Sequence, residues 1–407
     1  MDARFDLAIS DMVGFCTIGI IHAAKIPTWI WMNNGPLIDF VSDTVGTHSP
    51  SSYVPPILTP FSDKMTFFQR LQSFTVWTIL PVLVKRFVIA PQTELFRKYV
   101  DPNFPNLGEL AANCPLVMVN SDETYALPRP ILHKIIYIGG LGMGGKSAKP
   151  LSGEFKKIAD KASNIMVFSF GSIANASQMP VSWKTELLKS FKYNFYTKII
   201  ICRNFPNIEF FVRYDAKDLE GKLPPNVHLY SWLPQTDLLH HQKTRALITH
   251  GGYNSLQEAI NAGIPIIAIP LFGDQPTNAM LAEKHHFGIT LQKSQFSEKV
   301  LTKAIRTILQ VSSYSKSAKR MRSMVQNKPC KPEELLVRWT EYLAEFKELP
   351  NLTPYSTKLN FFEYYSIDIV LVLTTAVLVI LFATLKILRL VTTKLRRLLS
   401  LKKRKTD

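Results

Sequence analysis

Short β-rich runs alternate with stretches of helical period along most of this chain, and that alternation predicts parallel sheets joined by crossover helices. Strands are predicted at 5–10, 27–32, 116–120, 135–138, 165–170, 208–213, 246–249 and 264–269, runs rich in β-branched, aromatic and other apolar residues. Helices are predicted over 253–262, 275–286, 298–309, 315–325 and 332–346, where apolar residues recur every three or four positions. Residues 139–152, glycine-rich and carrying Pro150, separate the two strand groups and read as a linker. The expected layout is an amino domain over 1–140, a linker over 141–152 and a second domain over 153–350.

Two apolar runs stand apart from this alternation. Residues 367–385 read IDIVLVLTTAVLVILFATL, nineteen residues with Asp368 as the one charge, and at 1.5 Å per residue they reach about 28 Å, enough to cross a bilayer. Phe361, Phe362, Tyr364 and Tyr365 precede the run where an interfacial aromatic belt belongs. A basic tail, 386–407, follows and holds nine Lys and Arg against Asp407. The positive-inside rule then places the tail in the cytosol and everything before 360 on the lumenal or extracellular side of a single-pass type I protein. The other run, 74–84, is eleven residues long and contains Pro81; it is too short to span, so a buried helix is expected, with a segment lying in a membrane surface as the alternative.

At 407 residues the chain exceeds one ordinary core, which supports two domains. The net charge of +17 would suggest nucleic acid, but much of it sits in the tail and no basic stretch is interleaved with stacking aromatics, so no nucleic-acid partner is expected. Cys16, Cys114, Cys202 and Cys330 are far apart and form no Cys-x-x-Cys pair. That excludes zinc-ribbon and thioredoxin-type chemistry and leaves disulfides unreadable. His240-His241 and His285-His286 lack partners at metal spacing, so they read as surface or packing residues and no metal site is expected. No signal peptide opens the sequence at Met1-Asp2-Ala3-Arg4.

Gly140 to Ser147 fits the phosphate-loop pattern G-x-x-x-x-G-K-[ST] after a predicted strand. A phosphate loop needs a helix starting at its Lys-Ser, and Pro150 and Gly153 interrupt one at once. A nucleoside triphosphatase is therefore the remote alternative, and an interdomain linker the preferred reading.

The informative stretch is 232–275, WLPQTDLLHHQKTRALITHGGYNSLQEAINAGIPIIAIPLFGDQ. Its strand, 246–249, runs into His250-Gly251-Gly252, and a helix opens at Tyr253, so unpaired N–H groups and the helix dipole converge at the strand's carboxyl end and suit an anion. Around that point stand an aromatic face, Trp232, an amide that donates and accepts, Gln235, and a carboxylate for ribose hydroxyls, Glu258. Asp274 and Gln275 follow the next strand and suit sugar hydroxyls.

This order of residues resembles the signature of the UDP-glycosyltransferases, the family that holds the UDP-glucuronosyltransferases of animals. The resemblance implies two Rossmann-like domains of the GT-B type, the amino domain incomplete, plus one carboxyl-terminal transmembrane helix. It implies transfer of a glucuronosyl or glucosyl group from a UDP-sugar to a hydroxyl of a small lipophilic acceptor, with inversion. Trp232 would stack on uracil, Gln235 bond the base or ribose, and His250 with Gly251, Asn254 and Ser255 hold the pyrophosphate. Glu258 would bind ribose, and Asp274 and Gln275 the transferred sugar. Phe168-Ser-Phe-Gly171-Ser172 is similar to a further family element and places Ser172 near the phosphates. The co-substrate would be UDP-glucuronic acid or UDP-glucose with no further cofactor; the other partners are the acceptor, the bilayer and a homo- or hetero-oligomer. Residence in the endoplasmic reticulum also follows from the resemblance, and Lys403 and Lys405 are similar to a Lys-x-Lys-x-x retrieval signal.

Toward the amino end, Arg4-Phe-Asp-Leu-Ala-Ile-Ser-Asp11 is similar to the family's strand carrying a buried carboxylate that orients a general-base histidine, and Asp11 is the candidate. The sequence begins after the place of that histidine, and His22 and His48 do not follow a first strand, so weak or absent turnover is expected. A catalytically impaired membrane-anchored UDP-sugar-binding partner of full-length relatives is the competing function. A second departure is 192–204, where an insertion is expected.

Overall fold

A computed structural model describes residues 4–143, 148–174, 176–191, 205, 207–219, 221 and 223–403. The expected insertion at 192–204, Asn175, most of the glycine-lysine stretch at 144–147 and the last four residues lie outside the described residues. The chain forms one compact unit over Met1–Thr353 and a second over Pro354–Asp407.

The first unit holds two parallel sheets. One has the order β1-β2-β3-β4, built from β1 (Ala8–Asp11), β2 (Trp29–Asn33), β3 (Leu116–Val119) and β4 (Ile135–Tyr137). The other contains β5 (Asn164–Ser169), β6 (Ile208–Arg213), β7 (Val227–Tyr230), β8 (Thr244–Thr249), β9 (Ile266–Ala268) and β10 (Gly288–Thr290), in the order β10-β9-β8-β5-β6-β7. All pairings are parallel, with register such as Val167 opposite Leu247 and Leu247 opposite Ile266. The helices of the first part are α1 (Cys16–Ala23), α2 (Asp39–Thr44), α3 (Phe67–Val84), α4 (Ala90–Tyr99) and α5 (Leu107–Ala112). Those of the second are α6 (Gly153–Lys161), α7 (Val181–Phe191), α8 (Gln235–His240), α9 (Tyr253–Ala262), α10 (Gln275–Lys284), α11 (Glu298–Gln310), α12 (Ser312–Gln326) and α13 (Pro332–Phe346).

Both sheets are covered on both faces, which is why their strands read as continuous apolar runs. In the first sheet Trp29, Trp31, Val117 and Val119 enter a core with Phe15, Val41 and Leu107. The alternate residues Ile30, Leu116, Met118 and Ile136 enter another with Leu335, Leu336, Trp339 and Leu343. The helix supplying those last four, α13, lies inside the expected 153–350 domain by sequence but packs on the amino-terminal sheet. In the second sheet Ile165, Val167 and Leu247 face α9 and α12, while Met166, Phe168 and Ile248 face the opposite way with Leu187 and Ile305.

One expectation is corrected, one reading is supported and two strands are added. The run 74–84 lies within α3, which buries only Ser73, and α3 continues through a π-turn at Lys85–Ile89 into α4; it is an exposed helix rather than a core one. Residues 148–152 are not helical and α6 starts at Gly153, so the helix a phosphate loop requires at 146–147 does not run on into 148–152. Strands β7 and β10 were not anticipated, being four and three residues long. In the second unit the apolar run opens α15 (Ile367–Lys403), preceded by the short α14 (Phe361–Tyr364). Among the described residues two helical stretches are long and apolar enough to cross a membrane, Phe67–Tyr99, so that 74–84 belongs to a longer helix than its own eleven residues implied, and Ile367–Arg397, which continues into the basic tail.

After β4 the backbone passes tightly against residue 121: Gly139 N donates to Ser121 O at 2.8 Å, and a Cβ on Gly139 would lie 2.4 Å from the carbonyl carbon and oxygen of Ser121. Gly139→Ala is expected to cost about 1–3 kcal/mol through forced backbone displacement, read as a lower thermal midpoint; an unchanged midpoint would show that the turn yields.

Candidate active site

From β5 the chain winds outward through β6 and β7, then returns to β8 beside β5 and winds the other way through β9 and β10. The reversal leaves a crevice between the carboxyl ends of β5 and β8, the position where doubly wound sheets bind ligands. Phe170-Gly171-Ser172 leaves β5 into this crevice, and His250-Gly251-Gly252 leaves β8 into the start of α9.

His250 is held between two glycines. A Cβ at Gly171 would lie 2.7 Å from its ring carbon Cε1, and one at Gly252 2.6 Å from the same atom. Gly171 has φ +73 and Gly251 φ +84, so both positions favour glycine in conformation, and 171 and 252 do so in space. The imidazole is 8% exposed, and burial pushes its pKa down from 6.5 to about 4, so it is neutral at pH 7. Thr249 Oγ1 accepts from Gly251 N at 3.3 Å and lies 3.3 Å from His250 Nδ1. A hydroxyl engaged that way can donate to Nδ1, the tautomer that leaves Nε2–H as a donor.

The sequence-predicted residues fall into two groups around this ring. On one side α8 meets α9: Gln235 Nε2 donates to Glu258 Oε2 and to Ser255 Oγ (3.4 Å), and Thr236 Oγ1 donates to Glu258 Oε1 at 3.2 Å. Trp232 is 67% exposed, with the Arg213 guanidinium 4.6 Å from its ring centroid. On the other side, Asp274 Oδ2 accepts from Asn278 Nδ2 at 2.8 Å, and the same amide donates to Gly251 O at 2.9 Å. Gln275 is buried, and its Oε1 accepts from Leu271 N (2.8 Å) and Phe272 N (3.1 Å), so it also closes the loop after β9. Ser172 and Asn254 are exposed at the rim.

Sequence reasoning missed Arg213, Thr236 and Asn278; it named Gly252 in the turn and Gly171 in the 168–172 element without the packing of both against the His250 ring. Arg213 ends a strand that was anticipated, so a basic residue at the carboxyl end of that strand was the available signal. It also missed the polar clamp that fixes α9 to the first sheet. Tyr253 Oη donates to Ser121 Oγ at 2.7 Å, and Gln257 Nε2 donates to Asn120 O and Tyr125 Oη at 3.0 Å each. From α10, Thr277 Oγ1 donates to the carbonyls of Ile57 and Thr59 (2.7 Å for the latter), and Lys284 pairs with Asp63 at 2.5 Å. The 57–59 loop is itself held by Asp39, whose Oδ2 accepts from Ile57 N at 2.8 Å; burial raises the Asp39 carboxyl to about 6 against the opposing pull of Arg129.

Asp11 differs from expectation. It ends β1, the edge strand, so its side chain is exposed rather than buried. Its Oδ1 accepts from Val13 N at 2.8 Å and its carbonyl accepts from the Trp31 indole at 3.0 Å. Of the histidines considered as its partner, His22 stands edge-on to Phe104 at 5.3 Å and His48 pairs with Asp43.

Because the folded pKa of His250 lies below its unfolded value, the unfolded chain binds more protons between pH 4 and 6.5. Stability from this group is therefore present above that window and lost as pH falls through it, up to about 3 kcal/mol. In denaturant titrations across the window, the advantage of wild type over His250→Gln is expected to shrink as pH falls. Parallel stability curves for the two proteins would contradict a neutral buried imidazole.

Comparison with known proteins agrees with this geometry. Solved glycosyltransferases share the fold: the glycotransferase of kitacinnamycin has a TM-score of 0.55 at 17% identity, covering 86% of this chain and 77% of that one. The calicheamicin glycosyltransferase CalG4 has a TM-score of 0.53 at 17% identity, covering 84% and 74%. By sequence, UDP-glucuronosyltransferase 1A3 of Homo sapiens is 31% identical over 94% of this chain and 68% of its own length. UDP-glucuronosyltransferase 2C1 of Oryctolagus cuniculus is 30% identical over 94% and 73%. The family profile described as UDP-glucoronosyl and UDP-glucosyl transferase matches residues 1–405, so the chain belongs to that family, and its two α/β domains are of the GT-B type.

Proposed function

We propose that the crevice between β5 and β8 binds a UDP-sugar and that the chain serves transfer of its glucuronosyl or glucosyl group to a hydroxyl of a small lipophilic acceptor, with inversion. The observation that carries this reading is the neutral His250 ring between Gly171 and Gly252 at the unpaired amino end of α9. The diphosphate would take N–H donors from that helix start, from Gly251 and from His250 Nε2, with Asn254, Ser255 and Ser172 beside it. Trp232, covered on one face by Arg213, offers the other to uracil; Gln235 meets the base or ribose. Glu258, already accepting from Gln235 and Thr236, has lone pairs left for ribose hydroxyls. Asp274 and Gln275 would hold the transferred sugar. No metal or further cofactor enters this scheme.

Inversion needs a base on the acceptor hydroxyl, and Asp11 would orient it. The hydrogen bonds at Asp11 come from Val13 and Trp31, which favours a second reading: a membrane-anchored UDP-sugar-binding partner of active relatives. The full chain in nanodiscs is expected to bind UDP and not ADP by calorimetry, and Trp232→Ala to weaken UDP by about 1–3 kcal/mol. No UDP heat, or equal heats with ADP, would overturn the donor-site assignment. Incubation with UDP-glucuronic acid, UDP-glucose and a panel of phenols and steroids separates the two readings by product mass.

We further propose that α15 anchors the chain once, with residues before it in the lumen of the endoplasmic reticulum. Asn351 of the sequon Asn351-Leu-Thr353 is exposed, so a glycosidase-sensitive mobility shift that Asn351→Gln removes is expected. A cytosolic body would show no shift.

A further inference from the structure

The last helix of the first unit ends beside an aromatic cleft. At Lys347 the backbone takes φ +63 and α13 stops; residues 348–352 then form the wall that faces the helix. Both ends of this wall are tied to the first sheet, at the amino ends of β2 and β4. Thr28 Oγ1 donates to Lys347 O at 2.6 Å, and Thr353 Oγ1 accepts from Lys134 Nζ at 3.3 Å. Lys134 is fully buried and its Nζ also donates to Cys114 O at 2.9 Å, so the second tie is set in the core. Between the ties, Leu352 N donates to Leu349 O at 3.0 Å and Thr353 N to Pro350 O at 3.1 Å. The space between helix and wall is a cavity of about 570 Å³ whose lining includes Arg338, Trp339, Tyr342, Phe346, Glu348 and Asn351. The Tyr342 ring lies 5.8 Å from that of Trp339 and 4.7 Å from that of Phe346, and Tyr342 and Phe346 are 46% and 54% exposed.

We propose that this cleft seats the carbohydrate carried by Asn351, its first N-acetylglucosamine lying against Tyr342 and Phe346. The seat rests on the lumenal reading of the residues before α15, under which the sequon Asn351-Leu-Thr353 is glycosylated. Attachment forms a bond from Asn351 Nδ2 to the anomeric carbon of an oligosaccharide; a polyprenyl diphosphate carrier leaves, and Nδ2 loses one proton. Position selects the occupant. Asn351 is part of the cleft wall, so its sugar starts beside the aromatic rings, and the ties at 347 and 353 hold that starting point still. A protein partner entering the cleft would have to displace this carbohydrate first. The chemistry matches as well. One face of a pyranose ring presents C–H groups, which suit exposed aromatic faces, while its hydroxyls and acetamide offer donors to Glu348 and acceptors to Arg338, both exposed at the rim. An aliphatic occupant has nothing to offer either charge. The volume lies within the range of small-ligand sites, about 300–1,000 Å³, so the first sugar fits while later ones extend into solvent. Seated there, it covers aromatic surface that α13 leaves bare.

The test uses the full chain with Asn175→Gln, which leaves Asn351-Leu-Thr353 as the one sequon, made with a high-mannose glycan and held in nanodiscs. Endoglycosidase H trims that glycan to a single N-acetylglucosamine on Asn351. Thermal midpoints of the trimmed form and of Asn351→Gln are compared with Tyr342 in place, with Tyr342→Ser and with Phe346→Ser. The trimmed form is expected to melt higher than Asn351→Gln, and each cleft variant to remove most of that difference. Each comparison lies within one background, so a variant's own effect on folding cancels. Release of the whole glycan from the folded chain by an amidase that cuts at Asn351 is expected to run several-fold faster in the two variants, and equally in all three proteins after heat denaturation. No stabilisation by the sugar, or one that both variants leave intact, would overturn the seat. So would equal release rates from the folded chains. Protease added to sealed microsomes tells this failure from that of the lumenal reading: a protected body with no carbohydrate at Asn351 overturns the seat alone, and a digested body overturns the lumenal placement as well.

Discussion

The first N–H groups of α9 have no partner within the helix, and the direction in which they point governs the rest of the molecule. They lie at the carboxyl end of β8 only because His250-Gly251-Gly252 turns the chain within three residues, two of them glycines, one at φ +84. The turn in turn needs the opposite wall to be bare, and Gly171 at the end of β5 supplies that. Any side chain at 171 would push the imidazole out of the crevice. The pairing of β5 with β8 is thus both the centre of the sheet and the frame of the site.

The same helix joins the two sheets. Its Ser255 and Glu258 form one polar cluster with Gln235 of α8, while Tyr253 and Gln257 reach Asn120, Ser121 and Tyr125 of the first domain. Lys328, before α13, adds ion pairs to Asp122 at 3.1 Å and Glu123 at 2.8 Å. Buried groups of this kind are costly unless matched, so they fix one mutual arrangement where apolar contact alone would tolerate several.

Much of this was legible in the sequence. The helices at 253–262 and 332–346 and the strand at 208–213 match residue for residue, because each has a strong period or a sharp glycine or proline boundary. Most of the site's side chains could be named because they lie within one stretch of forty-four residues. Others could not. Short strands such as Gly288–Thr290 take their conformation from the neighbour they pair with. The destination of α13 depends on long-range packing that periodicity does not encode. For 74–84, composition gives apolarity but not which side of the protein it faces, so an exposed helix resembled a buried one. Asp11 likewise looked like a buried carboxylate because its strand's position at the sheet edge is a property of topology.

The return of α13 to the first sheet has a mechanical consequence. The polypeptide crosses between the two sheets twice, once after β4 and again before α13, and the second crossing is pinned by Lys328. Two bodies joined by a single strand can swivel freely; two bodies joined at two separated points keep essentially one soft degree of freedom, a rotation about the line through both. Relative movement of the two sheets is thereby held to that one rotation, and it is opposed by the bonds from Tyr253 to Ser121 and from Gln257 to Asn120.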